Sequence, residues 1–192
     1  MAGANLFAEA VAFTLSQEGG WADNPADHGG PTMDGITLAI YRAWLHDPSA
    51  TLEQLRVIGS DEVRAIYRQL YWSPISGDLL QPGIGLAVFD AAVNLGVQEA
   101  AKLFQVCVGA TRDGVIGPMT VSQSSCMSSA LLIRRYSRER EAYYRRCAGF
   151  AEFGRGWLAR SQACFEAAWR IAGLSRSMSL GRPPVVGTRH QL

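Results

Sequence analysis

Lysine is almost missing from this chain: of its 18 cationic side chains only Lys102 is one, and the rest are arginine. Long apolar runs are missing too, and none approaches the roughly 20 residues a membrane-spanning helix needs. The opening Met1-Ala2-Gly3-Ala4-Asn5 lacks the basic region of a secretory signal, and the apolar residues after it are periodic rather than continuous. Synthesis in the cytoplasm without a signal peptide is therefore expected, with a pore or a dedicated export route needed for action outside it. Histidine is scarce, and His28, His46 and His190 lack ligand spacing with one another or with the cysteines, so no metal is expected. Cys107, Cys126, Cys147 and Cys164 show neither zinc nor redox spacing. They read as small buried hydrophobes kept reduced, although an oxidising compartment would leave three pairings open. No serine or cysteine is placed to make His28 part of a nucleophilic site. No glycine loop follows a strand to cradle phosphate, and no cofactor is expected.

What is present describes an ordinary globular protein. The 192 residues are 48% hydrophobic and 18% charged, enough for one sizeable core or two small lobes sharing one. A net charge of +1 hides a division. Residues 1–100 carry four arginines against twelve acids, a net of −8, and residues 101–192 carry fourteen cations against five acids, a net of +9. The basic half predicts attraction to an anionic polymer or membrane face, weighed equally against a merely solvated face of arginines.

The organising stretch is 18–37. Leu6, Phe7, Ala10, Val11, Thr14 and Leu15 recur at helical spacing, which places Glu18 on the same apolar stripe in the last turn. Gly19-Gly20 then stops the helix. Apolar neighbours and the negative end of the helix dipole both oppose charge on a carboxylate there, as a general acid requires. The glycine-, proline- and aspartate-rich residues that follow form tight turns, with room for a small hairpin.

Further along, Thr37 caps a helix that ends before Pro48, and a short helix follows Thr51. Ser60-Asp61-Glu62 opens the next, which runs into Tyr71-Trp72 before Pro74. Pro82 fits the start of a helix closed by Asn94-Leu95-Gly96. Another helix ends at Gly109, and a turn-rich connector leads to one starting at Gly117-Pro118. A long arginine-rich helix spans Ser128 to Arg146, Gly149 to Gly156 forms a break, and Trp157 to Ile171 forms the last helix. Residues 173–192 lack periodicity and read as a flexible tail.

These pieces resemble the N-acetylmuramidases of glycoside hydrolase family 108, found among phage endolysins and secretion-associated muramidases. The likeness lies in Glu18-Gly19-Gly20, Asp27-x-Gly29-Gly30-x-Thr32 and Gly35-Ile36-Thr37. It continues in Tyr71-Trp72 and in Phe89-Asp90-Ala91-Ala92-Val93-Asn94-Leu95-Gly96. The second half resembles a helical peptidoglycan-binding module through Phe104-Gln105, Asp113-Gly114-x-Ile116-Gly117-Pro118-x-Thr120 and Phe153-Gly154-Arg155-Gly156-Trp157-Leu158-x-Arg160. His28 departs from the proline usual after the loop aspartate. The resemblance implies a mainly α, lysozyme-like α+β fold: a helical bundle with a small glycine-rich loop or hairpin at the active site. It implies a catalytic lobe over 1–96 and a peptidoglycan-binding-like lobe over 97–172 packed on it. It also implies hydrolysis of the β-1,4 bond between N-acetylmuramic acid and N-acetylglucosamine.

The spacing also resembles that of phage-type lysozymes, an arrangement in which Glu18 protonates the glycosidic oxygen while Asp27 and Thr32 hold the attacking water on the opposite face. Room for that water between the carboxyls gives inversion, the outcome favoured here, and a closer approach gives retention. Asp23 and Asp34 are rivals for the role of Asp27, and an Asp before Gly-Gly is also a routine turn former. Trp21, Tyr71 and Trp72 are candidates to stack on sugar rings, weighed against a place in the core. Asp90 and Asn94 share a helix face, where Asn94 either bonds the substrate or caps the helix, and Gln105 is a further candidate of that kind. The expected partners are glycan strands of the periplasmic wall and, through the Arg134–Arg146 helix, an anionic envelope surface. Neither a nucleic acid nor a second copy of the chain is expected. Two rivals stay open: a non-catalytic peptidoglycan-binding protein and a lytic transglycosylase.

Overall fold

The computed structural model of the chain describes residues 2–23 and 30–174, with side chains from Leu6 onward. Asp27, His28 and the tail beyond Leu174 lie outside the described residues. Among those described are nine α-helices, one π-helical turn, one 3-10 turn and a small antiparallel sheet. The fold is mainly helical and lysozyme-like. No described helix is long and apolar enough to cross a membrane.

Helix α1, Ala2–Glu18, buries Phe7, Ala10, Val11 and Thr14 on one side. It ends where Gly19 and Gly20 take positive φ. The expected hairpin is a three-stranded sheet of β1 (Trp21–Ala22), β2 (Thr32–Met33) and β3 (Ile36–Thr37). Trp21 pairs with Met33, Ala22 with Thr32, and Thr32 in turn with Thr37. The two-residue turn between β2 and β3 is Asp34-Gly35, both at positive φ, the backbone that matches the twist of a tight hairpin.

Thr37 caps α2 (Leu38–Leu45) by accepting the Ile40 N–H at 3.2 Å, and a Thr51–Gln54 capping box opens α3 (Leu52–Arg56). Helix α4, Ser60–Tyr67, passes into a π-helical turn at Arg68–Trp72, closed by Ser73 N–H donating to the Arg68 carbonyl at 2.8 Å. Tyr67 and Tyr71 are in ring contact, and Trp72 goes into the core.

Helix α5, Ile84–Leu95, is apolar all round and buried without interruption from Ile84 to Ala92, which makes it the central helix. It begins two residues after Pro82, because Gly83 supplies a positive φ where the chain runs against the Ala168 carbonyl. Around it lie α6 (Val97–Val108), α7 (Pro118–Ser125), α8 (Ser129–Arg146) and α9 (Phe150–Ile171). The break expected over Gly149–Gly156 is confined to Cys147–Gly149. Gly154 is buried inside α9 because the Phe150 ring lies on its Cα, where any side chain would collide.

One hydrophobic cluster runs through both halves, from Phe7 and Val11 to Ala168 and Trp169. Phe7, Tyr67, Trp72 and Phe89 form its aromatic centre, with ring centroids 5.5 to 6.1 Å apart. All four cysteines are free thiols. Cys107 and Cys164 are buried as expected, but Cys126 is exposed and Cys147 is half-buried.

Candidate active site

Glu18 is the last residue of α1, where the glycine turn begins, and its side chain stays 20% exposed. Oε1 meets Nη1 of Arg160, from α9, at 2.7 Å. Oε2 lies on the side of the β2–β3 turn: a side chain at Gly35 would put its Cβ 3.1 Å from Oε2 and 2.9 Å from the Tyr67 hydroxyl. Glycine is thus required at 35 by backbone conformation and by space. The Tyr67 hydroxyl donates to the Asp34 carbonyl at 2.6 Å, fixing that turn on the helices. Tyr71 lies 5.4 Å from the Tyr67 ring and is half-buried. Burial first, and the negative charge of Glu18 second, push both phenols above their ordinary value, so both remain neutral donors.

Beneath Glu18 lies a buried ion network. The Asp90 carboxylate, fully enclosed in α5, accepts from Arg160 Nη2 at 2.8 Å and Nε at 3.1 Å and from the Thr14 hydroxyl at 3.2 Å, and it forms an ion pair with Arg140 Nη2 at 2.7 Å. Burial alone would raise the Asp90 carboxyl, but the two guanidiniums outweigh it and hold it below the usual carboxylate range. The same carboxylate raises both arginines against the pull of burial. Arg140 Nε donates to the Tyr144 hydroxyl at 2.8 Å, which donates to Asn94 Oδ1 at 2.6 Å. Two acids and two arginines therefore balance in a line from the groove side of α1 to the end of α5.

Thr32 stands on β2 and Trp21 on β1, both half-buried, with the Arg56 guanidinium 4.6 Å over the Trp21 ring. Three of the sugar-contact candidates take other places. Trp72 is in the core, its indole N–H donating to Asp78 Oδ1 at 2.9 Å. Asp90 reaches Glu18 only through Arg160. Gln105, buried in α6, donates to Asp113 Oδ1 at 2.6 Å and to the Val115 carbonyl at 3.0 Å, tying down the connector before α7. Asn94 is exposed, with its carbonyl oxygen committed to Tyr144. Sequence reasoning assigned no role to Arg160, Tyr67 or Gly35. The signal for Arg160 is its place on the apolar stripe of α9, with Trp157, Cys164 and Ala168 at helical spacing. No group of histidine, cysteine or acidic side chains among the described residues is arranged to hold a metal.

The lysozyme-like helical fold presents a carboxylate between a short sheet and a helical body, the setting of a glycoside hydrolase. The sequence profile of glycosyl hydrolase 108 matches residues 11–96. Among solved structures, that of Brucella abortus SagA is similar over 90% of this chain and 98% of its own, at 32% identity and a TM-score of 0.80. The chain belongs to glycosyl hydrolase family 108. No curated protein matches it.

Proposed function

We propose that the protein is an N-acetylmuramidase that hydrolyses the β-1,4 bond between N-acetylmuramic acid and N-acetylglucosamine, with Glu18 as the general acid. The observation that carries the reading is the Glu18 carboxyl itself: anchored through Oε1, reachable from solvent, and within the segment that matches the family. Glu18 protonates the departing glycosidic oxygen as the C–O bond breaks, and the bonding pair leaves with that oxygen. Asp27 and Thr32 hold the water that attacks the opposite face of the sugar, so the product is inverted. Trp21 and Tyr71, both partly exposed, offer flat faces for pyranose rings. The glycan strands of the periplasmic wall are the substrate, reached after release or export from the cytoplasm.

The test is the product profile of the parent beside Glu18→Gln, which keeps the side chain's shape and removes its ionisable proton. The parent should yield reducing-end muramic acid, and the variant should lose on the order of a hundredfold or more in rate. Anhydro-sugar ends in the mass spectrum would convert the reading to a lytic transglycosylase, and wall lysis by Glu18→Gln at the parent's rate would end it.

A further inference from the structure

We propose that Arg160 is a positioning residue for the proton that Glu18 delivers, a role that rests on Glu18 being the general acid. Among the described residues the two Glu18 oxygens have different neighbours. Arg160 Nη1 donates to Oε1 at 2.7 Å, and a guanidinium nitrogen has no lone pair with which to accept. Oε1 is therefore committed as an acceptor, and when Glu18 carries a proton that proton sits on Oε2. Oε2 is the oxygen beside Gly35, where only glycine leaves it room. The guanidinium thus chooses the oxygen that acts as the acid and fixes the plane of the carboxyl.

The guanidinium is itself immobilised. Its Nε and Nη2 edge forks onto Asp90, leaving Nη1 as the nitrogen that reaches Glu18. A forked pair fixes direction as well as distance. Asp90 is held in turn by Arg140 and Thr14, so three helices behind the site define where Nη1 points. Among the described residues the neutral Tyr67 and Tyr71 phenols also lie near Glu18, and neither brings a charge to it.

The same contact acts during the reaction. As the proton moves from Oε2 to the departing oxygen, a full negative charge appears on Glu18. A fixed cation on Oε1 stabilises that charge without rearranging. Arg160 never touches the sugar; its effect passes through Glu18.

The experiment exploits leaving groups that need no proton. Parent, Glu18→Gln, Arg160→Gln and Arg160→Lys are assayed on purified glycan strands. They are also assayed on the dinitrophenyl β-glycoside of the N-acetylglucosaminyl-N-acetylmuramic acid disaccharide, whose phenolate departs unaided. On glycan, kcat should fall most in Glu18→Gln, about tenfold or more in Arg160→Gln, and by less in Arg160→Lys, which keeps a cation but loses the fork. On the dinitrophenyl substrate the three losses should largely vanish together. An Arg160→Gln loss equal on both substrates, or no loss on either, overturns the proposal. Should Arg160→Gln not fold, the same comparison is made with Arg160→Lys, and an equal loss on both substrates overturns it likewise. Full activity of Glu18→Gln on glycan instead refutes the general-acid reading itself.

Discussion

Replacing Asp90 by asparagine keeps the shape of the side chain and removes one charge from the middle of α5. The carboxylate has no exposure, and its partner Arg140 has a side chain only 2% exposed, so neither water nor salt can substitute for the lost counter-charge. Two guanidiniums are left facing a neutral amide in the interior. Removing one partner of a buried pair costs about 3–5 kcal/mol; Arg140 loses its counter-charge outright while Arg160 keeps Glu18, so the middle of that range applies. Against a native stability on the order of 5–15 kcal/mol, that is a large fraction. In urea, with a slope of about 2 kcal/mol per molar, a loss of ~4 kcal/mol moves the midpoint down by about 2 M. The pH dependence follows from the direction of the shift. A carboxyl held below its unfolded value contributes stability above about pH 3.9 and gives it up as the pH falls through the folded value. The gap between parent and variant should therefore be full near neutrality and narrow below pH 4. Hydrolysis of glycan should fall as well, because Arg160 loses the fork that aims it. A midpoint within about 0.5 M of the parent's would show that the network is not what holds α5, α8 and α9 together.

Gly35→Ala forces a side chain into a positive-φ turn beside Glu18 Oε2 and the Tyr67 hydroxyl; stability should drop by about 1–2 kcal/mol in a thermal melt and glycan hydrolysis by roughly tenfold. In the native protein a thiol reagent should modify Cys126 rapidly and leave Cys107 and Cys164 untouched until urea unfolds the chain, since burial pushes the Cys107 thiol up to about 12 and the Cys164 thiol higher still. Attraction to an anionic envelope should depend on Arg138, Arg145 and Arg146, which are exposed on α8, and not on Arg140, which is buried on Asp90. Replacing the three by glutamine should flatten the salt dependence of wall binding, and an unchanged slope would remove that partner.

The helices were legible because their boundaries are written in local chemistry. Thr37, Thr51, Gly96, Gly109 and Pro118 sit at helix ends for reasons contained within a few residues. Glu18 was legible for the same reason, since apolar spacing and the Gly-Gly stop fix its place in the last turn. The partner of Glu18 was not, because Arg160 comes from α9 and no short-range pattern pairs the two. The π-helical turn was hidden likewise, since nothing in Arg68–Trp72 marks a change from α-helical spacing. Glycine misled at 154 and 156, where a pair of helix breakers reads as a loop but one of them makes room for Phe150. A clue to the ion network was nonetheless present. Asp90 interrupts the otherwise apolar α5, Arg140 falls between Tyr136 and Tyr144 on the buried stripe of α8, and Arg160 falls on that of α9. A charge on a buried stripe needs an opposite one nearby, and among the described residues these three pair with one another and with Glu18.

That accounting bears on how the chain divides. The family profile stops at residue 96, which invites the view of a catalytic segment with a helical module appended. Residues up to 96 contain Glu18 and Asp90 but neither of the arginines that neutralise them. Severed there, α5 would carry a bare carboxylate among apolar neighbours, with the faces it buries against α8 and α9 stripped, and Glu18 would lose the contact that fixes its plane. The acidic half and the basic half meet in that network. Part of the charge imbalance between them is the two ends of one buried network, so the second half completes the site that the first half contains.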